Sequence, residues 1–326
     1  MHSAAHFQFT NCGCLPAPFL TEIFFYDTKS SSIGFRENRK VTSKIANSLG
    51  GYLSLVRGIR KRWKVTKRDE LWFRAEDARY RKTHLQPGLY RPRESGKRKS
   101  IKNLLELEND LYEEFRRCAV QLSDARSSSH DWEWDSYYLM QHHGVPTRLL
   151  DWSDGALIAL HFAIRDKPMP PKSGSIIYVL DPYWLIEILS KAPERKDMIS
   201  RWKRLATNDH SVDEDEWDRL YLPGDSDDSR NPLLEAPVIP ILFDSPHFTR
   251  RIAAQRSRFM IFGTDPLWIA QLYEQKASRL TSIAIPSGSV NRIRQELRDA
   301  GITESVVYPD LDGLGRELKQ VWKTRR

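Results

Sequence analysis

The longest regular alternation of apolar and polar positions follows Ser100, where Leu104, Leu107, Leu111, Phe115, Cys118 and Leu122 recur at three- to four-residue spacing. That period gathers them on one face of an α-helix, with Ser100 placed to cap it. A second helical piece, Trp134 to Met140, leads through Gly144 and Pro146 into "TRLLDW", Thr147 to Trp152. The next stretch, "ALIALHFAI", is apolar on all sides, as a buried helix is, and Ser153 or Asp154 stands where its cap belongs. "PYWLIEILSKA" predicts a helix with proline in its first turn, and "SVNRIRQELRDAG" one closed by Gly301.

Short runs rich in β-branched and aromatic residues predict the strands. "ELWFRAED" is the first well-specified one, its apolar part Leu71, Trp72 and Phe73 and Arg74 at its end; "SGSIIYVLD" and "RLTSIAIP" are two more. The prolines of "APVIPILF" imply an edge or an irregular entry, because proline cannot donate to a ladder. "RIAAQRSRFMIFG" predicts a further strand, and "ESVVYPDLDGLGRELKQV" a last strand followed by a last helix. The mixture is α+β. Residues 1–50 show no sustained period and are rich in Ser, Asn and Thr, which predicts a poorly ordered extension before one domain over 51–326 with its core from about Leu71.

Charge is unevenly spread. Between Arg57 and Lys102 stand 17 Lys or Arg against 5 Asp or Glu, so a net charge of +8 divides into +12 there and −4 elsewhere. Trp63, Trp72, Tyr80 and Tyr90 are interleaved with these cations, a composition that suits phosphate neutralisation with base stacking, or equally a solvated basic face over core aromatics. No uninterrupted apolar run approaches the roughly 18 residues that span a bilayer, and the N-terminus lacks a basic leader, so a soluble, cytoplasmic protein is expected. Three cysteines, Cys12, Cys14 and Cys118, are too few for a disulfide framework and have no zinc-ligand spacing, so no metal is expected.

Candidate chemistry concentrates in "LMQHHGVPTRLLDWSDG", Leu139 to Gly155. Adjacent residues at a helix end point in different directions, so only one of His142 and His143 can face a cleft shared with Arg148 or Asp151. Such a histidine could move a proton or bind a ribose hydroxyl; alternatively Gln141 and His142 satisfy backbone groups at a buried helix end. In strand geometry Thr147, Leu149 and Asp151 share one face and Arg148, Leu150 and Trp152 the other, and a buried Asp151 requires a partner, with Arg74 or a histidine the nearest. No dinucleotide-binding glycine motif, P-loop or nucleophile elbow is present.

"WFRAE" at Trp72–Glu76, the helix bearing Glu108, Leu111 and Phe115, "LMQHHGVPTRLLDW" followed by "ALHFA", "RRIAAQRSRF" and "GITESVVYPDLDGL" resemble, in that order, an FRG domain. The resemblance runs from about Leu71 to the C-terminus, with Ala75 and Ser257 standing where the family usually has glycine. The order of elements is in turn similar to the ADP-ribosyltransferase arrangement, which implies a mixed, largely antiparallel central sheet flanked by helices. It also implies a site that takes NAD as substrate. In that mapping Arg74 is the anchor that clamps a diphosphate, and Arg74, His142 and Gln255 are the catalytic candidates. Arg74, Gln141, His142, Thr147, Arg148 and Asp151 are the candidates for binding the cofactor. Gln255 lies where an acid is expected, and a neutral amide cannot stabilise an oxocarbenium-like state, so Glu76 or Asp151 would have to enter the cleft. Two functions follow. One is an ADP-ribosyltransferase or NAD glycohydrolase acting in defence or stress, with a nucleic acid or protein acceptor docked on Arg57–Lys102; the other is a non-catalytic nucleotide or nucleic-acid binding module.

Overall fold

The computed structural model describes residues 44–66, 69–77, 80, 82–92, 99–122, 132–167, 171–191, 221–223, 237–243 and 249–324. Seven strands lie in it: β1 (Lys44–Ile45), β2 (Trp72–Asp77), β3 (Leu149–Ser153), β4 (Ser175–Leu180), β5 (Ile241–Phe243), β6 (Ser257–Ile261) and β7 (Leu280–Ile285). They form one sheet in the order β1-β7-β4-β2-β3-β6-β5, parallel only between β1 and β7. This is the α+β mixture that the sequence predicts, with the mixed, largely antiparallel sheet that the resemblance implies. β5, the proline-flanked segment, is an edge strand, where a missing N–H leaves no broken ladder.

Alternation along the strands fills two layers. Trp72, Leu150, Trp152, Leu180 and Met260 point to one face, where α5 (Pro182–Lys191) and α7 (Trp268–Glu274) cover them. On the other face the apolar side chains form two groups. Phe73, Ile177, Val179 and Ile283 pack under α1 (Leu49–Trp63), α4 (Ala156–Arg165) and α8 (Val290–Asp299), whereas Leu149, Phe259 and Ile261 pack under α3 (Trp132–His142).

Two helices reach into both function and stability. α2 (Ile101–Leu122) is capped as expected, Ser100 Oγ accepting from the Asn103 amide at 3.2 Å. Its buried face is carried by Leu105, Glu108, Tyr112 and Ala119, one position beyond the apolar stripe, because Glu108 turns inward to meet Arg148. α4 has Gly155 at its N-cap and so no side-chain cap, and Ser153 Oγ instead accepts from the Gly155 amide at 3.0 Å. Asp154 is engaged elsewhere, pairing with Arg256 and Arg258.

Several expectations are corrected. Residues 44–50 lie inside the fold, since β1 pairs with β7 and Ala46 is buried; the rest of the extension and most of the acidic stretch after Val212 fall outside the described residues. α1 runs through the basic segment, with Ser48 Oγ accepting from Gly51 and Tyr52, Ile59 and Trp63 turned to the core. Arg74 sits mid-strand. "RRIAAQ" is a short helix, α6 (Arg250–Gln255), ahead of β6, and "ESVV" is one helical turn, α9 (Glu304–Val307), ahead of α10 (Leu311–Thr324). Among the described residues no helix is long and apolar enough to cross a membrane.

Candidate functional site

β2 pairs with β4 over six residues and β3 pairs with β6 over five, but β2 and β3 meet at a single pair, Phe73 and Ser153. Beyond that pair the two central strands separate, and a cleft of about 340 Å³ opens between them. Among the residues that line it are Arg74 and Glu76 of β2, Gln141 and His142 of α3, Asp151 of β3, Arg251 and Gln255 of α6, and Tyr308. A volume of this size lies in the range that takes small ligands.

Arg74 bridges the split. Its Nη1 donates to the Asp151 backbone carbonyl at 2.6 Å, a group left without a strand partner on that side, and its Nε donates to Glu76 Oε1 at 2.9 Å. Glu76 is buried and also accepts from Arg91 Nη2 at 2.8 Å and from the Leu85 amide at 3.1 Å. Two arginines thus share one carboxylate, and Arg91 additionally stacks 4.1 Å over the Tyr80 ring.

Asp151 is differently placed. Its carboxylate opens to solvent through the mouth of the cleft, and the only hydrogen bond to its side chain from a described side chain comes from Gln141 Nε2 at 2.7 Å. Protein atoms crowding round it raise its pKa above the ordinary aspartate value, against the opposing charge of Arg74 and the Gln141 hydrogen bond. Gln141 is itself fixed: its Oε1 accepts from the Thr147 hydroxyl at 2.5 Å, which leaves the amide NH₂ facing Asp151.

His142 lines the same cleft, with burial, then Arg251 and His143, lowering its pKa from 6.5 to about 4. The ring is therefore neutral near pH 7, which suits a hydrogen bond to a hydroxyl better than proton transfer. Gln255 also faces the cleft, but it ends α6 and donates to the Val307 carbonyl at 3.3 Å; its own carbonyl accepts the Ser153 hydroxyl at 2.7 Å.

Of the residues singled out in sequence, Arg74, Gln141, His142, Asp151 and Gln255 are brought together, and Glu76 with them. Thr147 and Arg148 are not among the lining residues. Both are buried; Thr147 acts through Gln141, while Arg148 lies on the opposite face, its Nε 2.5 Å from Glu108 Oε2 and its Nη2 2.5 Å from the Tyr221 carbonyl. Arg91, Arg251 and Tyr308 are among the lining residues that the sequence did not single out for the site. Arg251 falls beside Gln255 in "RRIAAQ", where a helix puts residues four apart on one face, a relation that a strand reading hides.

The basic segment offers charge but few free rings. Arg57, Lys61, Arg62 and Lys64 are exposed along and just after α1, whereas Trp63, Trp72 and Tyr90 are buried in the core. Among the described residues no group of three or more His, Cys, Asp or Glu is arranged to hold a metal ion.

No curated protein and no solved structure matches the chain. Residues 69–171 match the family model described as FRG domain, a span that takes in β2, α2, α3, β3 and α4 and so contributes Arg74, Glu76, Gln141, His142 and Asp151, while Arg251, Gln255 and Tyr308 come from beyond it. Over residues 69–171 the chain carries an FRG domain, and that part supplies the lining residues of β2, α3, β3 and α4.

Proposed function

We propose that the cleft binds a nucleotide of the NAD class and cleaves its nicotinamide–ribose bond, passing the ADP-ribosyl group to water or to an acceptor. The observation that carries this reading is the Asp151 carboxylate, held by a neutral amide with no cation in direct ion pair among the described residues, at the place where β2 and β3 part. When the C1′–N bond breaks, its electron pair leaves with nicotinamide and positive charge develops on the sugar. A preorganised carboxylate stabilises that charge; Glu76 is less able to do so because Arg74 and Arg91 already hold it. The incoming hydroxyl adds to C1′ and releases its proton, which this reading gives to Asp151. His142, neutral, serves as a partner for a ribose hydroxyl, and the arginines lining the cleft attract the diphosphate.

The test follows nicotinamide release from NAD by chromatography, with and without protein and nucleic-acid acceptors, for wild type and Asp151→Asn. Release that falls on the order of a hundredfold or more in the variant, with NAD binding retained, is the expected result. No release with any acceptor, together with no calorimetric binding of NAD or ADP-ribose at millimolar concentration, overturns the reading.

A second reading, a binding module without catalysis, is favoured by Gln255, a neutral amide tethered to Val307. Retained NAD or ADP-ribose binding without turnover would select it. If nucleic acid is the ligand, the buried rings of Trp63, Trp72 and Tyr90 leave α1's exposed cations to supply affinity, and binding would fall steeply with salt.

A further inference from the structure

Among the described residues three arginines line the cleft, and they differ in what neutralises them. Arg74 and Arg91 both donate to Glu76, so each enters the cleft with its charge partly spent. Arg251 forms no ion pair among the described residues; its guanidinium carbon lies 4.4 Å from the centre of the Tyr308 ring, and its Nε is buried with no hydrogen-bond partner. The Tyr308 ring carries two further arginines, Arg165 at 4.1 Å and Arg316 at 5.0 Å. Both of those pair with Glu304, at 3.0 Å and 2.7 Å, whereas Arg251 has no carboxylate in ion-pair contact among the described residues and feels the Asp310 charge and its hydrogen bond with Tyr308.

A cation clamped on an aromatic face, lining a concave site and with a donor unused, is poised for an oxyanion. Burial of an unused N–H costs free energy in the empty protein that a bound acceptor returns. Resting on the nucleotide reading above, we infer that Arg251, held on Tyr308, is the phosphate-binding residue of the cleft, and that Arg74 serves chiefly to brace the gap between β2 and β3. A phosphoryl oxygen accepting from Arg251 would lie on the same side as His142, whose ring senses the Arg251 charge, leaving the sugar directed to Asp151.

The experiment is calorimetric titration of inorganic pyrophosphate and of ADP-ribose into the full chain, as wild type, Arg251→Ala, Arg251→Lys and Arg74→Ala. The expected result is a loss of tenfold or more in affinity for both ligands in Arg251→Ala, partial recovery in Arg251→Lys, and a smaller loss in Arg74→Ala. Pyrophosphate binding that depends on Arg251 without any ADP-ribose binding would uphold the subsite while sinking the nucleotide reading. Unchanged affinity in Arg251→Ala, with loss in Arg74→Ala, would overturn the subsite and leave that reading intact; no binding of either ligand to wild type would overturn both. A measurement on the wild-type chain guards against a variant that fails to fold: modification of arginines by phenylglyoxal, read by peptide mass, should be slowed at Arg251 by pyrophosphate, and modification at Arg251 that pyrophosphate does not slow counts against the subsite.

Discussion

Gln141 donates its side-chain amide to Asp151 Oδ2 across 2.7 Å, in the orientation that the Thr147 hydroxyl dictates by bonding to Gln141 Oε1 at 2.5 Å. Three residues of one motif thus act in series, the first setting the second and the second setting the third. The hydrogen bond favours the ionised form of Asp151, while the crowding of protein atoms disfavours it. Gln141→Leu removes the donor, so the Asp151 pKa should rise further, and Thr147→Val should produce a smaller shift in the same direction by freeing the amide to turn. Carbon-detected NMR of the carboxyl resonance measures both; a downward shift in Gln141→Leu would refute the series.

Asp151 also fixes a relation between stability and pH. Its folded-state pKa is raised, so the unfolded chain ionises more readily and the charged group weakens the fold at neutral pH. Below the ordinary aspartate range both states are protonated and the penalty is gone. Asp151→Asn should therefore melt at a higher temperature than wild type at pH 7, with the gap closing as pH falls through the raised pKa towards that range. Losing activity while gaining stability is the behaviour of a functional group, not of a packing group. Thermal denaturation across pH reads it, and a lower melting temperature for the variant at pH 7 would count against the role assigned to Asp151.

How far the sequence revealed this arrangement can be traced residue by residue. β2, β4 and β7 were legible because each is an apolar run of strand length bounded by turn residues, and α2 and α4 because their apolar positions follow the helical period. α1 was hidden by its cations: Tyr52, Ile59 and Trp63 do lie on one face, but the intervening lysines and arginines read as a solvated run. α6 and α9 are only six and four residues long, too short to show a period, and the two valines of α9 carry a strand preference that packing against α10 overrides. In the site, the motif pointed to Gln141, His142 and Asp151, but strand alternation decided which neighbours share their face. Arg148 points the other way, to Glu108, and Arg251 reaches the cleft from a distant segment that only tertiary folding places there.

The Glu108 and Arg148 pair should be among the costliest to break. Glu108 is fully buried, accepts from the Arg148 Nε and backbone amide, and accepts the Tyr137 hydroxyl as well. Glu108→Ala strands a buried guanidinium, a loss of about 3–5 kcal/mol. Glu108→Gln keeps the volume and one of the two acceptor oxygens, and should lose less. Urea unfolding distinguishes the two, and a Glu108→Ala chain within about 1 kcal/mol of wild type would show that the pair is not organising the β3 entry.

Glu304 ties α9 to its neighbours through His161 at 3.1 Å, Arg165 at 3.0 Å and Arg316 at 2.7 Å. Burial works against its charge, yet the His161 and Arg316 hydrogen bonds and the Arg165 charge prevail, and its pKa falls from 4.5 to about 2. A depressed carboxyl pKa contributes stability that is complete above 4.5 and is lost as pH falls from there towards 2. Glu304→Gln should therefore be less stable than wild type at pH 7 and flatter in its acid dependence over that window. Parallel acid-unfolding curves for the two proteins would remove Glu304 from the account.

Two glycines of α10 should respond in opposite directions to the same substitution. A Cβ on Gly313 would stand 2.0 Å from the Tyr308 carbonyl oxygen and 2.8 Å from Tyr308 Cβ, whereas nothing lies within 4 Å of one on Gly315. Gly315→Ala lowers the backbone entropy of the unfolded chain at no steric cost, and should stabilise by about 0.5–1 kcal/mol. Gly313→Ala must push Tyr308 away, at roughly 1–3 kcal/mol for the overpacking. Because Tyr308 is the platform beneath Arg251, the shift should also weaken pyrophosphate binding, while Gly315→Ala leaves it unchanged. Melting curves and titrations on the two variants test this together. A Gly313→Ala protein with both wild-type stability and wild-type pyrophosphate affinity would show that neither the fold nor Arg251 depends on where α10 holds Tyr308.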